Sequence, residues 1–480
     1  MIKPNLTERV AACLAPLLPA HSSILIGLSG GVDSVVLLHL LHKLASRFSW
    51  QLSALHVHHG ISPNANKWAD FCADLCARHL ISLHIEQVDI TPLRAHGIEA
   101  AARKLRHEAF AGHPCDFVAL AHHADDQAET LLLQLLRGAG VRGASAMPVL
   151  SPLRYRSAKQ PLFTEYTASP NFVRPLLQCT RQEILDYAIA HQLHWIEDES
   201  NADDSYPRNF LRHRVIPLLS ERFPACHDTL ARSAKHFAEA SELLDDLAQL
   251  DASGLLPSPS PSPSPSPACG RGAGGEGGWK ENNETLEISR LQSLSQPRAK
   301  NLLRYFLHSV GAPMPQAVQL DDMLQQLCNA RQDAAVCVEY GDGWQVRRYQ
   351  GKAYVLRAPG NFDPSLVLPW QGETELDWPA LNTRLCFDSS QTSGISLKKL
   401  QRAPVTLRLR HGGETLRPHP NAATRTLKNL LQEHRVPPWQ RDRLPLLYCG
   451  EELVCVPDVA IAAEYQAAVG EAGMRLNMKP

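Results

Sequence analysis

Between Ser23 and His123, short apolar runs alternate with longer stretches of helical periodicity, and no other feature of the 480-residue chain constrains the fold as strongly. The strand candidates are 23–28 (SILIGL), 52–59 (LSALHVHH), 82–88 (SLHIEQV) and 116–123 (DFVALAHH). Helical stretches fall at 33–47, 64–80, 98–111 and 125–136. Strands separated by helices of this length are βαβ units, because a chain returning to a parallel neighbour needs a long crossover. Right-handed crossovers then give an α/β, doubly wound parallel sheet, in which ligands sit at the carboxyl ends of the strands.

The length exceeds what one core organises, and three domains are expected: the α/β domain at 1–218, a mainly helical middle domain at 219–365, and a small, basic α+β C-terminal domain at 397–480. Apolar residues recur at helical spacing from about Pro207 to Leu250 and again at 291–310, followed by strand-like segments through 357. Residues 256–279 interrupt this pattern with repeated Ser-Pro and then glycine. Such composition buries no apolar surface, so an extended or disordered surface insertion is expected there.

A hydrophobic fraction of 44% and a formal charge of -1 describe an ordinary globular protein, so any nucleic-acid surface must be local. There is no apolar run of about eighteen residues, and no membrane-spanning helix is expected. Glu8 and Arg9 precede only a short apolar stretch, which suits an amphipathic helix rather than a signal peptide and points to the cytoplasm. The twelve cysteines form neither a CxxC pair nor a zinc ribbon, and buried free thiols are expected.

The strongest chemical signal is Ser29-Gly30-Gly31-Val32-Asp33-Ser34, set between an apolar strand and an amphipathic helix. Two glycines let backbone approach a phosphate, the helix start presents N–H groups to an anion, and Asp33 can hold a metal that neutralises phosphate charge. The glycine spacing is neither that of a Walker A loop nor GxGxxG. The same residues also suit a plain Gly-Gly turn capped by Asp33.

SGGVDS in this setting resembles the PP-loop of the ATP pyrophosphatase family, which implies ATP cleaved between its α- and β-phosphates. His56-Val57-His58-His59-Gly60, the cationic helix 97–110 and His122-His123-Ala124-Asp125-Asp126-Gln127-Ala128-Glu129-Thr130 narrow the resemblance to the tRNA(Ile)-lysidine synthetase family. It continues through Arg174-Pro175-Leu176-Leu177, Trp195 to Asn201, Tyr206 to Arg212, and 407–448. The insertion at 256–279 departs from the family pattern.

The resemblance implies ATP-dependent ligation of L-lysine to carbon 2 of the wobble cytidine in the CAU-anticodon isoleucine tRNA. An adenylated cytidine would be the intermediate, AMP and diphosphate the products, and decoding would change from AUG to AUA. Ser29, Gly30, Gly31, Val32, Asp33 and Ser34 would bind ATP, with Mg²⁺ on Asp33, and Arg103 would neutralise phosphate. Asp126 and Glu129, three apart on one helix face, can jointly receive an ammonium group of lysine, while Arg208 and Arg212 would contact substrate or tRNA. Acids at a helix start also serve simply to complement its dipole, and Arg103 also suits an exposed helix cation. The family resemblance leaves room for a homodimer.

Eleven Lys and Arg residues between Lys398 and Arg443 face only three acids, a local excess suited to tRNA phosphates, with His419, Trp439 and Pro437-Pro438 placed to frame a nucleotide. A solvated basic face has the same composition. The nearest rival is a tRNA thiolase of the same superfamily, which would need catalytic or paired cysteines. A nucleotide-gated RNA-binding protein is separated from an enzyme by ATP turnover, and an amide-forming synthetase by tRNA dependence.

Overall fold

The computed structural model describes residues 5–60, 62–91, 98–153, 170–197, 203–253, 285–331, 334, 336–341, 343–358, 363–381, 383–390, 394–468 and 470–479. The insertion at 256–279 lies outside the described residues, as do 198–201 of the motif that begins at Trp195. The chain divides into two compact units, Met1–Asp246 and Leu247–Pro480.

The first unit opens with α1 (Leu6–Leu14), capped by the Asn5 side chain, and continues through β1 (Ser23–Gly27), α2 (Val32–Phe48), β2 (Gln51–His58), α3 (Ala65–Arg78), β3 (Ser82–Gln87), α4 (Ile98–Ala111), β4 (Phe117–Ala119) and α5 (Ala124–Leu136). It then runs through α6 (Val141–Ala144), β5 (Leu150–Pro152), β6 (Asn171–Val173), α7 (Arg181–Ala190), α8 (Pro207–Phe210), a π-helical turn (Leu211–Val215), α9 (Ile216–Arg222) and α10 (Cys226–Ser253), which extends into the second unit. The sheet order is β3-β2-β1-β4-β6-β5, parallel except for β5 against β6. Strand order reverses between β1 and β4, so the crevice of this doubly wound sheet opens there.

Helix α2 is apolar around most of its circumference: Val35, Val36, Leu37, Leu38, Leu40, Leu41 and Leu44 are all buried. Each such side chain contributes roughly 1.5–3 kcal/mol through burial, enough in sum to hold the start of α2 rigid whatever a single loop residue does. Helix α7 stands against α2 and begins with a capping box in which Thr180 and Glu183 satisfy one another's backbone N–H groups. The strand expected at 116–123 is confined to 117–119. After Leu120 N–H donates to the Val173 carbonyl, the chain leaves the ladder and delivers His122 and His123 to the crevice.

In the second unit, β7 (Thr285–Glu287), α11 (Ile288–Ser293), α12 (Gln296–Ser309), α13 (Ala317–Asn329), β8 (Cys337–Tyr340), β9 (Trp344–Tyr349) and β10 (Lys352–Arg357) pack three helices with a four-stranded sheet of order β7-β10-β9-β8. The helices expected in the middle of the chain are present, and the strand-like segments after them form this sheet.

There follow β11 (Val367–Trp370), β12 (Glu375–Trp378), β13 (Thr383–Ser390), β14 (Ile395–Ser396), α14 (Leu397–Leu400), β15 (Val405–Arg408), β16 (Thr415–Leu416), β17 (Arg425–Thr426), α15 (Leu427–Glu433), α16 (Pro438–Arg441), β18 (Leu446–Cys449), β19 (Glu452–Val456), β20 (Ala460–Ile461) and β21 (Gly473–Lys479). These strands make antiparallel sheets around a second core that includes Trp378, Leu407, Leu431 and Leu446. Among the described residues no helix is long and apolar enough to cross a membrane.

Candidate active site

The loop joining β1 to α2 turns its hydroxyls inward. Ser34 Oγ accepts from the backbone N–H groups of Ser29 (3.3 Å) and Gly30 (3.2 Å), donates to the Gly31 carbonyl (2.9 Å), and lies 3.2 Å from Ser29 Oγ. Gly30 has φ +89, and a Cβ there would meet Ile196 Cδ1 at 3.0 Å, so both conformation and space require glycine. Gly31 is different: an added Cβ would meet only Ser29 Oγ, at 3.6 Å, which leaves the outer face of the loop open to a ligand. As N-cap of α2, Gly31 has no side chain to satisfy the first N–H groups of the helix, which are left to an anion. Ile196 N–H donates to the Gly30 carbonyl (2.9 Å), and this contact explains why the segment beginning at Trp195 accompanies the loop.

Across the crevice, His123 caps α5. Its Nε2 lies 3.8 Å from Asp33 Oδ2 and 3.5 Å from Asp126 Oδ2, so this buried imidazole bridges the loop to the acidic helix. Burial raises the Asp33 carboxyl above its ordinary value, with His123 opposing, and Asp33 Oδ1 is buried with no hydrogen-bond partner. An orphaned carboxylate oxygen beside a phosphate-binding turn fits a divalent cation held by one or two carboxylates and substrate phosphates. Among the described residues there is no group of three or more His, Cys, Asp or Glu that could hold a metal ion.

Asp126 and Glu129 share one face of α5, as their spacing predicts, but two arginines already engage them. Arg208 donates from Nε to Glu129 Oε2 (2.6 Å) and from Nη2 to Asp126 Oδ1 (2.8 Å). Arg212 donates from Nε to Glu129 Oε1 (2.6 Å) and from Nη2 to Glu129 Oε2 (3.0 Å) and Asp126 Oδ1 (3.3 Å). Arg212 lies in the π-helical turn and Arg208 four residues earlier, so both guanidinium groups reach the same carboxylates. Burial would raise the Asp126 carboxyl, yet His123, Arg208, His122 and a backbone N–H hold it below its ordinary value. In this structure both carboxylates are therefore engaged by guanidinium groups.

The other residues of the 122–130 motif divide between scaffold and site. Asp125 accepts from Arg181 N–H (3.0 Å) and lies 3.5 Å from His227 Nδ1, tying α5 to α7 and α10. Gln127 exchanges two hydrogen bonds with the backbone of Met147. His122 goes to the site: burial, opposed by Asp126 and helped by Arg174, Arg208 and Arg106, pushes it down to about 3. Of the other histidines, His56 donates to the Leu28 carbonyl (2.9 Å), whereas His59, pushed down to about 4 by burial and Arg106, keeps Nδ1 buried without a partner.

Arg103 lies exposed on α4 and acts electrostatically on His107 and Arg174. Arg106, His107 and Arg174 carry no role in the sequence expectations; the motif Arg174-Pro175-Leu176-Leu177 is the one signal that points to Arg174.

The C-terminal basic segment is less cationic than its composition. Arg408 pairs with Glu451, Arg410 with Glu414 and Asp442, Arg417 with Glu464, and Arg425 with Glu433. Trp439 packs on the β9–β10 hairpin, under Arg347 (5.3 Å to the ring centre) and edge-on to Tyr349 and Tyr354, with Arg441 donating to Tyr349 Oη (3.1 Å). It thus joins two parts of the second unit where a nucleotide frame was expected.

Residues 2–219 match the family described as the PP-loop domain, 286–354 the TilS substrate binding domain, and 405–478 the TilS substrate C-terminal domain. The tRNA(Ile)-lysidine synthase of Nitrosomonas europaea is 39% identical over 455 residues, covering 95% of this chain and 91% of that protein. The enzyme of the same name from Azoarcus sp. is 39% identical over 464 residues, covering 97% and 92%. That of Coxiella burnetii is 35% identical over 465 residues, covering 96% and 94%. With such identity sustained over almost its whole length, and with the PP-loop and both TilS domains in order, the chain belongs to the tRNA(Ile)-lysidine synthase family.

Proposed function

We propose that this protein is a cytoplasmic ligase that uses ATP to attach L-lysine to carbon 2 of the wobble cytidine in the CAU-anticodon isoleucine tRNA. The observation that supports this reading best is the unbroken chain of polar contacts from Asp33 through His123 to Asp126, Glu129, Arg208 and Arg212. It joins a phosphate-binding turn to a pair of arginine-paired carboxylates across the crevice of the sheet.

In the first step the cytidine O2 attacks the α-phosphorus of ATP, the bond to the β-phosphate oxygen breaks, and pyrophosphate leaves. The turn at 29–34 holds the leaving phosphates, and its N–H groups offset the charge that develops on them. Mg²⁺ on Asp33 would neutralise the same charge. Arg103 adds a cation from α4. In the second step the lysine ε-amine attacks carbon 2, AMP leaves with the oxygen, and the amine gives up its protons. Asp126 and Glu129 orient the amino acid through its ammonium, taking it in exchange for contacts now made by Arg208 and Arg212, which are freed to meet phosphate.

Residues 219–365 and 397–480 would hold the tRNA, while 1–218 carry the chemistry. The thiolase alternative is not favoured: Cys72, whose Sγ lies nearest the loop, and Cys76 are pushed up by burial to about 12 and 11, far from a reactive thiolate. The two-step scheme is tested by pyrophosphate release without lysine. Release that requires ATP and the CAU-anticodon tRNA supports it, and release that requires lysine but no tRNA contradicts it.

A further inference from the structure

Arg174 follows β6 directly and is 6% exposed. Its Nη1 donates to the Pro148 carbonyl (2.9 Å) and to Ser151 Oγ (3.0 Å), which fixes the guanidinium plane over the Phe172 ring, 5.5 Å from its centre. His107 approaches the same ring at 5.0 Å. Nε is buried and has no hydrogen-bond partner. With Nη2 it forms the fork edge that matches the two oxygens of a carboxylate or phosphate.

Among the described residues no carboxylate bears on this group. Arg103, another cation, acts on it, and burial together with that repulsion pushes Arg174 down to about 10. A buried cation without a counter-ion is costly, so the arrangement is complete only when an anion is supplied from outside.

We infer that Arg174 grips the α-carboxylate of the amino-acid substrate, supplying the half of amino-acid recognition that Asp126 and Glu129 cannot. The inference rests on the ligase reading above and adds to it the determinant that separates an amino acid from a simple amine. His122 feels both Asp126 and Arg174 electrostatically, so a carboxylate and a guanidinium both lie within range of one imidazole. An α-ammonium and an α-carboxylate hang from one carbon, so their counter-ions must share one site. A small planar carboxylate can enter a group this deeply buried, whereas a polynucleotide phosphate needs a surface cation.

The test compares L-lysine with L-lysinamide, which lacks the carboxylate, in tRNA-dependent incorporation by the full-length enzyme. Unmodified protein should use lysinamide with KM raised about a hundredfold, the loss expected when a charge-assisted fork is unmade. Arg174→Gln should raise KM for lysine by a similar factor, leave lysinamide use nearly unchanged, and leave KM for ATP and tRNA within about twofold. Arg174→Lys, which keeps the charge without the fork, should fall between. Lysine and lysinamide used equally by the unmodified enzyme, a variant that weakens both alike, or a rise confined to KM for tRNA would each overturn the assignment. The comparison of ligands on unmodified protein holds even if the variants fold poorly. Absence of incorporation from either amine, with pyrophosphate still released, would remove the lysine reading itself and this inference with it.

Discussion

In the parallel-sheet unit, Arg174 is buried with, among the described residues, only another cation bearing on it, and Arg208 and Arg212 converge on two carboxylates from a neighbouring helix. In the C-terminal segment, Arg408, Arg410, Arg417 and Arg425 each face a carboxylate at or near the surface. The first set sits where low dielectric makes every charge consequential, and the second where water and salt screen it. Arginines in these two places have different energetic weight although they look alike in composition. A substitution in the crevice should therefore alter chemistry, and one in the C-terminal segment should alter affinity slightly.

The largest effect is expected at the loop. Asp33→Ala should leave the fold intact, because α2 is held by its buried apolar face, yet lower the rate of pyrophosphate release by about a thousandfold or more as charge stabilisation is lost. A folded variant with near-normal release would take Asp33 out of the mechanism and weaken the contrast at its strongest point.

Glu129→Gln comes next. It removes one charge of a buried, doubly paired carboxylate, and kcat/KM for lysine should fall about a hundredfold while pyrophosphate release falls much less. Both Arg208 and Arg212 lose a carboxylate partner, so some loss of thermal stability is also expected. Equal losses in both assays, with no change in lysine dependence, would place Glu129 in the scaffold instead.

What was legible before the structure follows the same division. The glycine turn, the four leading strands and the shared face of Asp126 and Glu129 depend on residues adjacent in sequence or one helical turn apart, and periodicity exposes them. The occupation of that face by Arg208 and Arg212 did not show, because the partners lie about eighty positions apart and only the packing of α8 and the π-helical turn against α5 joins them. Strands β5 and β6, three residues each, are too short to leave a pattern. The ion pairs of the basic segment did not show for a related reason: Glu451 and Glu464, which pair with Arg408 and Arg417, lie outside the stretch in which the charge excess is counted. Trp439 was available to a nucleotide by composition, and only the β9–β10 hairpin shows what covers it.

Trp439→Ala tests the second region. Two aromatic contacts and one cation–π contact, together worth about 1.5–3 kcal/mol, are lost from the second unit. Its thermal transition should fall by several degrees and tRNA affinity by about tenfold or less, with pyrophosphate release at saturating tRNA unchanged. A hundredfold loss of tRNA binding without a stability change would return Trp439 to direct contact with the nucleic acid. The smallest effect is expected from deleting 257–278. A Ser-Pro and Gly-rich composition offers little apolar surface to bury, so the incorporation rate should stay within about twofold, and the melting temperature within a few degrees, of the intact chain.

The account stands most directly on mass spectrometry of the CAU-anticodon isoleucine tRNA after incubation with the protein, ATP and L-lysine. Nucleosides from that tRNA should show the wobble cytidine heavier by one lysine less one water, with one AMP and one pyrophosphate formed per lysine attached. An unmodified cytidine with ATP consumed, or a mass gain that matches sulfur, would contradict the assignment of this crevice to lysine ligation.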